Sequence, residues 1–422
     1  TPDPAEALKA LTEACPDVRE GSGCFAGPGL GFAVSPASTD EVSAVLRVAA
    51  ARDLTVTVRG DGSQPTLTIG QHGCDVCLDL SRMSGVLEHA AGDLVARVQA
   101  GARMGDVAAV LAKAGQEIAL DVPADATVGG VVASGLAGPR RLRYGTPRDL
   151  IIGITIVRAD GTVAKAGGKV VKNVAGYDLS KLFAGSAGTL GVITEATFRL
   201  HPLPAARVYV TTSYTDAAAA GAAVAAAANS PLTPSAVELS RAEPDGPIDV
   251  GVLVEGSADG VGARASGLAD LLGSASPATS STEAPGWWPG PPALAAGRET
   301  LVRVSFWVSA LPLVLEAVTD AAAQASLPVA ASGSAGAGVL YLQPGAGADA
   351  AAVTAFVTRL RSAVGGPRGG VTVLAAPAAV RDALSADGGL AGPVPGAALM
   401  RAVKDQFDPD GRLSPDRFAE TV

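Results

Sequence analysis

Histidine is the scarcest functional residue in this chain. There are three in 422 residues, His72, His89 and His201, and none from Pro202 to the end. The second half therefore has no imidazole to act as a general base or to bind a metal. It has no cysteine either, so it lacks the usual zinc ligand set. Cysteine is also sparse: Cys15, Cys24, Cys74 and Cys77 are too few to form a disulfide framework in so long a chain, which fits a reducing cytoplasm. Cys74-Asp75-Val76-Cys77 is a CxxC without the second pair that a zinc site needs; it reads as two small strand residues or as a redox dithiol. Basic charge is in deficit, with 32 Lys and Arg against 41 Asp and Glu and a net charge of −9. That excludes the basic stripe of a nucleic-acid partner, and a small acidic substrate would have to be drawn in by local Arg and Lys. No apolar run reaches membrane-spanning length; the longest candidate, 217–228, is an alanine tract of high helix propensity. The opening TPDPAEAL has no basic segment followed by an apolar core, so no secretory signal is expected after residue 1.

What remains is 48% apolar and 17% charged, the composition of a folded globular protein, and its length suggests two domains. The glycines gather in one stretch, 122–204: Gly129, Gly130, Gly135, Gly138, Gly145, Gly185, Gly188 and Gly191. Short apolar runs between them, 150–157 and 190–198, read as strands. A residue without Cβ lets backbone approach a ligand closely, so this set points to an elongated, polar cofactor.

Upstream, helices are expected over 4–14, from about 39 to 51 with Thr39 as the cap, and over 104–114. Strands are expected over 54–58, 78–83 and 95–100. After the first of these strands the chain turns through Arg59-Gly60-Asp61-Gly62-Ser63-Gln64-Pro65. Gly60 and Gly62 would let successive N–H groups face one anion, with Ser63 adding a hydroxyl; taken alone, the same residues make an ordinary turn.

Thr127-Val128-Gly129-Gly130, Tyr144-Gly145, a strand ending in Asp160-Gly161, and KNVAGYDLSKLFAGSAGTLGVITEATFRLHPLP over 172–204 agree in order and spacing with one family. They resemble the FAD domain of the p-cresol methylhydroxylase/vanillyl-alcohol oxidase superfamily, and within it the E-subunit family of bacterial glycolate oxidase. The resemblance implies an α+β fold, with a PCMH-type FAD-binding domain of two α+β subdomains over 1–204. An α+β cap would span 205–392, and a segment over 393–422 would return to the FAD domain. It further implies that FAD is held by Arg59, Gly60, Asp61, Gly62, Ser63 and Gln64 at the diphosphate. Pro123, Thr127, Val128, Gly129, Gly130, Ser134, Gly135, Gly138, Tyr144 and Gly145 would follow in the cradle, and Gly191, Val192 and Ile193 on the adenine side. Members with covalent flavin often carry histidine where Ser63 stands, so non-covalent FAD is expected. Glycolate oxidation to glyoxylate in a complex with a D-like flavoprotein and an F-like iron–sulfur subunit is implied too, with any membrane association arising through a partner.

Lys165, Lys169 and Lys172 form a basic cluster that reads as a solvated face. Lys172 and Tyr177 also lie inside the family motif and stand as substrate-site candidates. In the second half, strands over 207–214, 250–255, 302–308, 338–343 and 370–375 alternate with alanine-rich helices over 216–228, 261–272, 314–325 and 348–363. Arg303 is the candidate there for holding a carboxylate, with a structural role as the alternative. Trp287-Trp288, in a Pro/Gly/Ser-rich loop over 273–292, could lid a site, anchor a partner or pack on the domain's own sheet. Catalytic relatives that oxidise 2-hydroxy acids carry a His-rich metal motif in the cap, and this chain has none. The resemblance thus suggests an accessory flavoprotein subunit, with a stand-alone alcohol or hydroxy-acid oxidase and a non-catalytic partner-binding subunit as alternatives. The closing run 399–418 resembles the superfamily's last motif, with Ser414 where Asn is common and Asp416 where Gly is common.

Overall fold

The computed structural model describes residues 3–20, 31–60, 74–168, 178–273, 277–288, 290, 300–366, 369–385, 389–415 and 417. Two compact units emerge. The first comprises Thr1–Leu136, Thr146–Leu203 and Val394–Val422; the second comprises Ala137–Gly145 and Pro204–Pro393. The grouping of Ala137–Gly145 with the second unit differs from the boundaries drawn from sequence.

The first unit holds two main sheets. One orders Val18–Arg19, Phe32–Val34, Val76–Asp79 and Val56–Arg59, and the last three pair in parallel. The helix Thr39–Ala51 buries Val42, Val45, Leu46 and Ala49, which recur at helical spacing. Its cap is Ser38, whose Oγ accepts from the Glu41 N–H at 3.2 Å. Thr39, expected as the cap, donates instead to Thr194 Oγ1 at 3.1 Å. The other sheet is antiparallel and orders Val86–Ala90, Val95–Gln99, Val192–Arg199, Ile151–Val157 and Val163–Gly167. Its central strand Val192–Arg199 has a nearly continuous buried run, as a strand covered on both faces should. Lys165 is exposed on the edge strand, the solvated reading; Lys169 lies outside the described residues.

The chain's last segment also belongs to this unit. Helix Ala397–Phe407 ends at Asp408, and Leu413 then forms a parallel bridge with Val56. Lys404 anchors the return: its Nζ donates to Thr189 O at 2.7 Å, to Leu413 O at 3.0 Å and to Asp408 Oδ2 at 2.5 Å. Asp408 is 1% exposed and also accepts from the N–H groups of Arg412 and Leu413. All three ammonium protons and both carboxylate oxygens of this buried pair are thereby engaged, which is what makes burying two charges tolerable.

The second unit is built on one antiparallel sheet of eight strands. In spatial order they are Thr279–Ser281, Ala206–Tyr214, Ile248–Gly256, Ala236–Arg241, Val329–Gly333, Val339–Pro344, Leu301–Phe306 and Gly369–Ala375. Helices Ala217–Ala228, Ala258–Leu272, Leu311–Gln324 and Ala350–Val364 accompany it. Strands 279–281 (TSS) and 329–333 (VAASG) left no clear mark in the sequence, because they are short and built largely of Ala, Ser and Gly, residues of low strand preference; strand 236–241 (AVELSR) was not expected either, its buried run carrying no period-2 alternation. The two tryptophans pack on this unit's own sheet. A Cβ at Gly251 would lie 2.7 Å from the Trp287 ring and 2.8 Å from the Trp288 ring, and Tyr209 meets Trp288 edge to face at 4.9 Å. Gly251 thus provides the bed on which both indoles rest.

The cysteines form no framework among the described residues, but not all of them are thiols. Cys77 is disulfide-bonded, whereas Cys15 and Cys74 are buried free thiols. Cys74 and Cys77 therefore do not pair with each other, and cysteine usage no longer argues for a reducing compartment. No helix among the described residues is long and apolar enough to cross a membrane, and no cluster of His, Cys, Asp or Glu among them could hold a metal ion.

Candidate functional site

A narrow groove of about 60 Å3 opens in the first unit where strand ends, one helix start and the closing segment meet. Its lining includes Arg59 and Gly60 at the end of the strand Val56–Arg59, Thr127, Gly129 and Gly130 at the start of the helix Val128–Ser134, and Gly191 and Ile193 at the head of the central strand. These seven were expected from sequence.

Glycine is required here by close approach. A Cβ at Gly60 would run into the Thr127 hydroxyl; one at Gly129 would stand 2.8 Å from the Ala100 Cβ, and one at Gly191 3.1 Å from the Phe183 ring and 3.3 Å from the Val157 carbonyl. These contacts are with the protein's own atoms, so the glycines set how closely strand ends and helix start pack around the groove. Replacing Gly129 by Val would push the helix off the strand that carries Ala100. The expected cost is about 1–3 kcal/mol, read as a lowered melting temperature, with loss of any ligand the groove holds.

The N–H groups at Thr127–Gly130 are less available than expected. Val128 N–H donates to Ala102 O at 2.9 Å, Gly129 N–H to Ala100 O at 2.7 Å, and Gly130 N–H to Thr127 Oγ1 at 3.3 Å. These bonds seat the helix; what this turn offers a ligand is the Thr127 hydroxyl proton and a shape. Val128 and Val192 are buried beneath the groove rather than in it. Ser134 donates back to Gly130 O at 2.7 Å, and Gly135 closes the helix in the left-handed region at φ 67°; neither lines the groove, nor does Pro123. Asp61, Gly62, Ser63 and Gln64 lie outside the described residues, as do Lys172 and Tyr177.

Gly188, one of the glycines singled out in 122–204, also lines the groove, whereas Val58, Leu80, Ala100, Ala133, Ala187 and Arg417 were not expected there. Arg417 donates from Nη1 to Ala187 O at 2.9 Å. Ala187 and Arg417 lie within the quoted motifs, and that placement was the only signal the sequence carried for them.

Gly138, Tyr144 and Gly145 belong to the segment that groups with the second unit. Arg140 there pairs with Glu255 at 3.6 Å, both side chains buried, and Arg207 reaches the same carboxylate at 2.8 Å. Arg143 donates to Ser235 Oγ at 3.3 Å and to Glu255 O at 3.2 Å. The Arg140 and Arg143 guanidiniums lie 5.6 and 5.3 Å from the centre of the Tyr144 ring, so this tyrosine is held by two cations.

Arg303 stands on the strand Leu301–Phe306, opposite Tyr341 in register. Its Nε is sealed from solvent and has no hydrogen-bond partner. Tyr341 Oη accepts from Arg141 Nη2 at 3.2 Å. Burial pushes the Arg303 guanidinium below the usual arginine range; Tyr341 opposes that shift and Arg141 adds to it. Arg141 thus donates to the tyrosine that stands opposite Arg303, and among the described residues no carboxylate contributes to the balance at Arg303. Such a cluster is suited to binding an anion.

Residues 31–167 match the FAD binding domain family. Among known proteins, the chain is 32% identical over 212 residues to glycolate oxidase subunit GlcD of Bacillus subtilis, covering 49% of this chain and 44% of the relative. It is 39% identical over 148 residues to glycolate oxidase subunit GlcE of Escherichia coli, covering 34% of this chain and 42% of the relative. The matches thus span less than half the length of these relatives. The structure of p-cresol methylhydroxylase with substrate bound superposes at a TM-score of 0.71 over 98% of this chain and 96% of the other, at 14% identity, a likeness of fold alone.

Proposed function

We propose that this chain, which carries an FAD binding domain on a PCMH-type fold, is an FAD-dependent oxidoreductase subunit of the glycolate oxidase E type. On this reading it takes part in oxidising glycolate or a related 2-hydroxy acid, and passes electrons to an iron–sulfur partner alongside a D-like flavoprotein. The groove of the first unit supports the cofactor reading, since close packing at Gly60, Gly129 and Gly191 brings strand ends and a helix start together in its lining. Arg59, Gly60, Thr127, Gly129, Gly130, Gly191 and Ile193 would hold it, with Ser63 leaving the attachment non-covalent. Bound FAD supplies the two-electron acceptor for a carbon–hydrogen bond beside a hydroxyl.

The observation that carries the substrate class is the Arg303–Tyr341–Arg141 cluster. An acid's carboxylate beside them would offset part of the charge of its two guanidiniums. Lys172 and Tyr177 remain proposed substrate contacts from the family motif.

The lack of histidine after residue 201 favours a second reading, in which the histidine-bearing D-type partner oxidises the acid and this subunit relays electrons. Anaerobic mixing of the purified protein with glycolate and D-lactate separates the two readings. Bleaching of the flavin by the chain alone means that it oxidises the acid itself. Bleaching only after a D-type partner is added supports the relay. A preparation that binds no FAD overturns both.

A further inference from the structure

We propose that Arg143 and Arg207 form a docking site for an acidic segment of a partner protein, and that Glu255 is the post that holds both guanidiniums in place.

The second unit gathers four guanidiniums around one glutamate. Arg140 and Arg207 share Glu255 Oε1, at 3.6 and 2.8 Å, while Arg143 and Arg264 share its backbone oxygen, at 3.2 and 2.9 Å. Two of the four are built into the fold. Arg140 is buried with the carboxylate. Arg264 uses every nitrogen internally: Nε donates to Leu232 O at 2.8 Å, Nη1 to Glu255 O, and Nη2 to Thr233 O at 2.6 Å. Burial pushes its guanidinium below the usual arginine range, Arg143 adds to that shift and Tyr144 opposes it.

Arg143 and Arg207 face solvent instead. Arg143 is exposed, and the Arg207 side chain is 43% exposed. Each is pinned through one nitrogen. Arg143 uses Nη1 for Ser235 Oγ and Glu255 O, and Arg207 uses Nε for the Glu255 carboxylate. Nη2 of the first and both Nη groups of the second have no partner among the described residues.

A surface ion pair usually contributes little, because two long side chains must be ordered to make it. Here one side is ordered beforehand, by Glu255, by Ser235 and by the Tyr144 ring 5.3 Å from the Arg143 guanidinium. An incoming carboxylate therefore meets a preset fork. Pinned to the backbone oxygen and the carboxylate of one glutamate, the two guanidiniums stand no farther apart than that side chain and two hydrogen bonds allow. Carboxylates one helical turn apart, about 5–6 Å, or on alternate strand residues, about 7 Å, match that reach, which selects an acidic segment over a single small oxyanion. The chain's net charge of −9 repels an extended polyanion such as nucleic acid, so the partner is a protein that carries its acid locally.

The test is fluorescence anisotropy of a labelled hexaglutamate peptide titrated with the whole protein at low ionic strength. Arg143→Gln and Arg207→Gln are each expected to weaken binding about fivefold, and added salt should weaken wild type more steeply than the double variant. Arg148→Gln and Arg359→Gln, at exposed arginines elsewhere, should bind like wild type. In the wild-type protein the peptide should shield Arg143 and Arg207 from phenylglyoxal, read by mass spectrometry; this arm holds even where a variant fails to fold.

No binding to wild type, equal losses at all four arginines, or an Arg143 and Arg207 that stay reactive under bound peptide would overturn the assignment. Displacement of the peptide by inorganic phosphate at matched ionic strength would overturn it too, since the pair would then be a small-oxyanion site and not a docking site.

Discussion

Replacing Arg303 by Met is expected to make the protein more stable and worse at binding acids. The guanidinium senses Arg141 and Tyr341, with its Nε unpartnered and, among the described residues, no carboxylate to offset its charge. Removing an uncompensated, largely desolvated cation and filling its space with an apolar chain should raise stability by about 1–2 kcal/mol. The same change removes a charge-assisted, potentially bidentate contact. Affinity for a small dicarboxylate such as oxalate should therefore fall by roughly 100-fold. Thermal melting and calorimetric titration on the same preparation read the two effects. A structural role for Arg303 predicts the opposite pairing, lost stability with unchanged oxalate binding. Residues kept for a ligand at the expense of the fold show this trade-off, and residues kept for packing do not.

Lys404→Met should be the most damaging single change in the first unit. It removes the cation from Asp408, which is 1% exposed and then retains only the backbone donors of Arg412 and Leu413. Breaking a buried pair from one side costs about 3–5 kcal/mol, because the other charge is left behind. Three carbonyl and carboxylate acceptors lose their donor at once, among them Thr189 O in the loop that also gives Ala187 and Gly188 to the groove. Lower urea resistance should therefore be accompanied by loss of bound flavin. Adding Asp408→Asn to Lys404→Met should recover part of the loss, since the stranded charge is then gone. If the two changes were simply additive, the pair would not be acting as a unit.

These two residues also show how unevenly the sequence reveals the protein. The groove was legible because close approach leaves a mark that sequence can carry: a Cβ has no room at Gly60 and Gly129 and would be tight at Gly191. The helices and most strands were legible from periodicity, as at Val42, Val45, Leu46 and Ala49. Hydrogen-bond use was not. Gly129 N–H faces Ala100 O, not a ligand, and only the register between a helix start and a strand end decides that. The Arg303–Tyr341–Arg141 cluster depends on a strand register and on a segment some 160–200 residues upstream, so no local spacing could signal it. Arg417 lay in a recognisable motif, but its bond to Ala187 O became visible only once the two stood side by side.

The excursion of Ala137–Gly145 has a consequence for engineering and for descent. The chain passes from the first unit to the second at Leu136, returns at Thr146, leaves again after Leu203 and comes back at Val394. A graft that transplants only 204–393 onto another flavoprotein would leave Arg140 and Arg143 behind, and with them the cations that meet the buried Glu255 carboxylate and Ser235. Recombination between relatives would then be productive when both segments travel together, so the nine residues and the long module should be inherited as one genetic block.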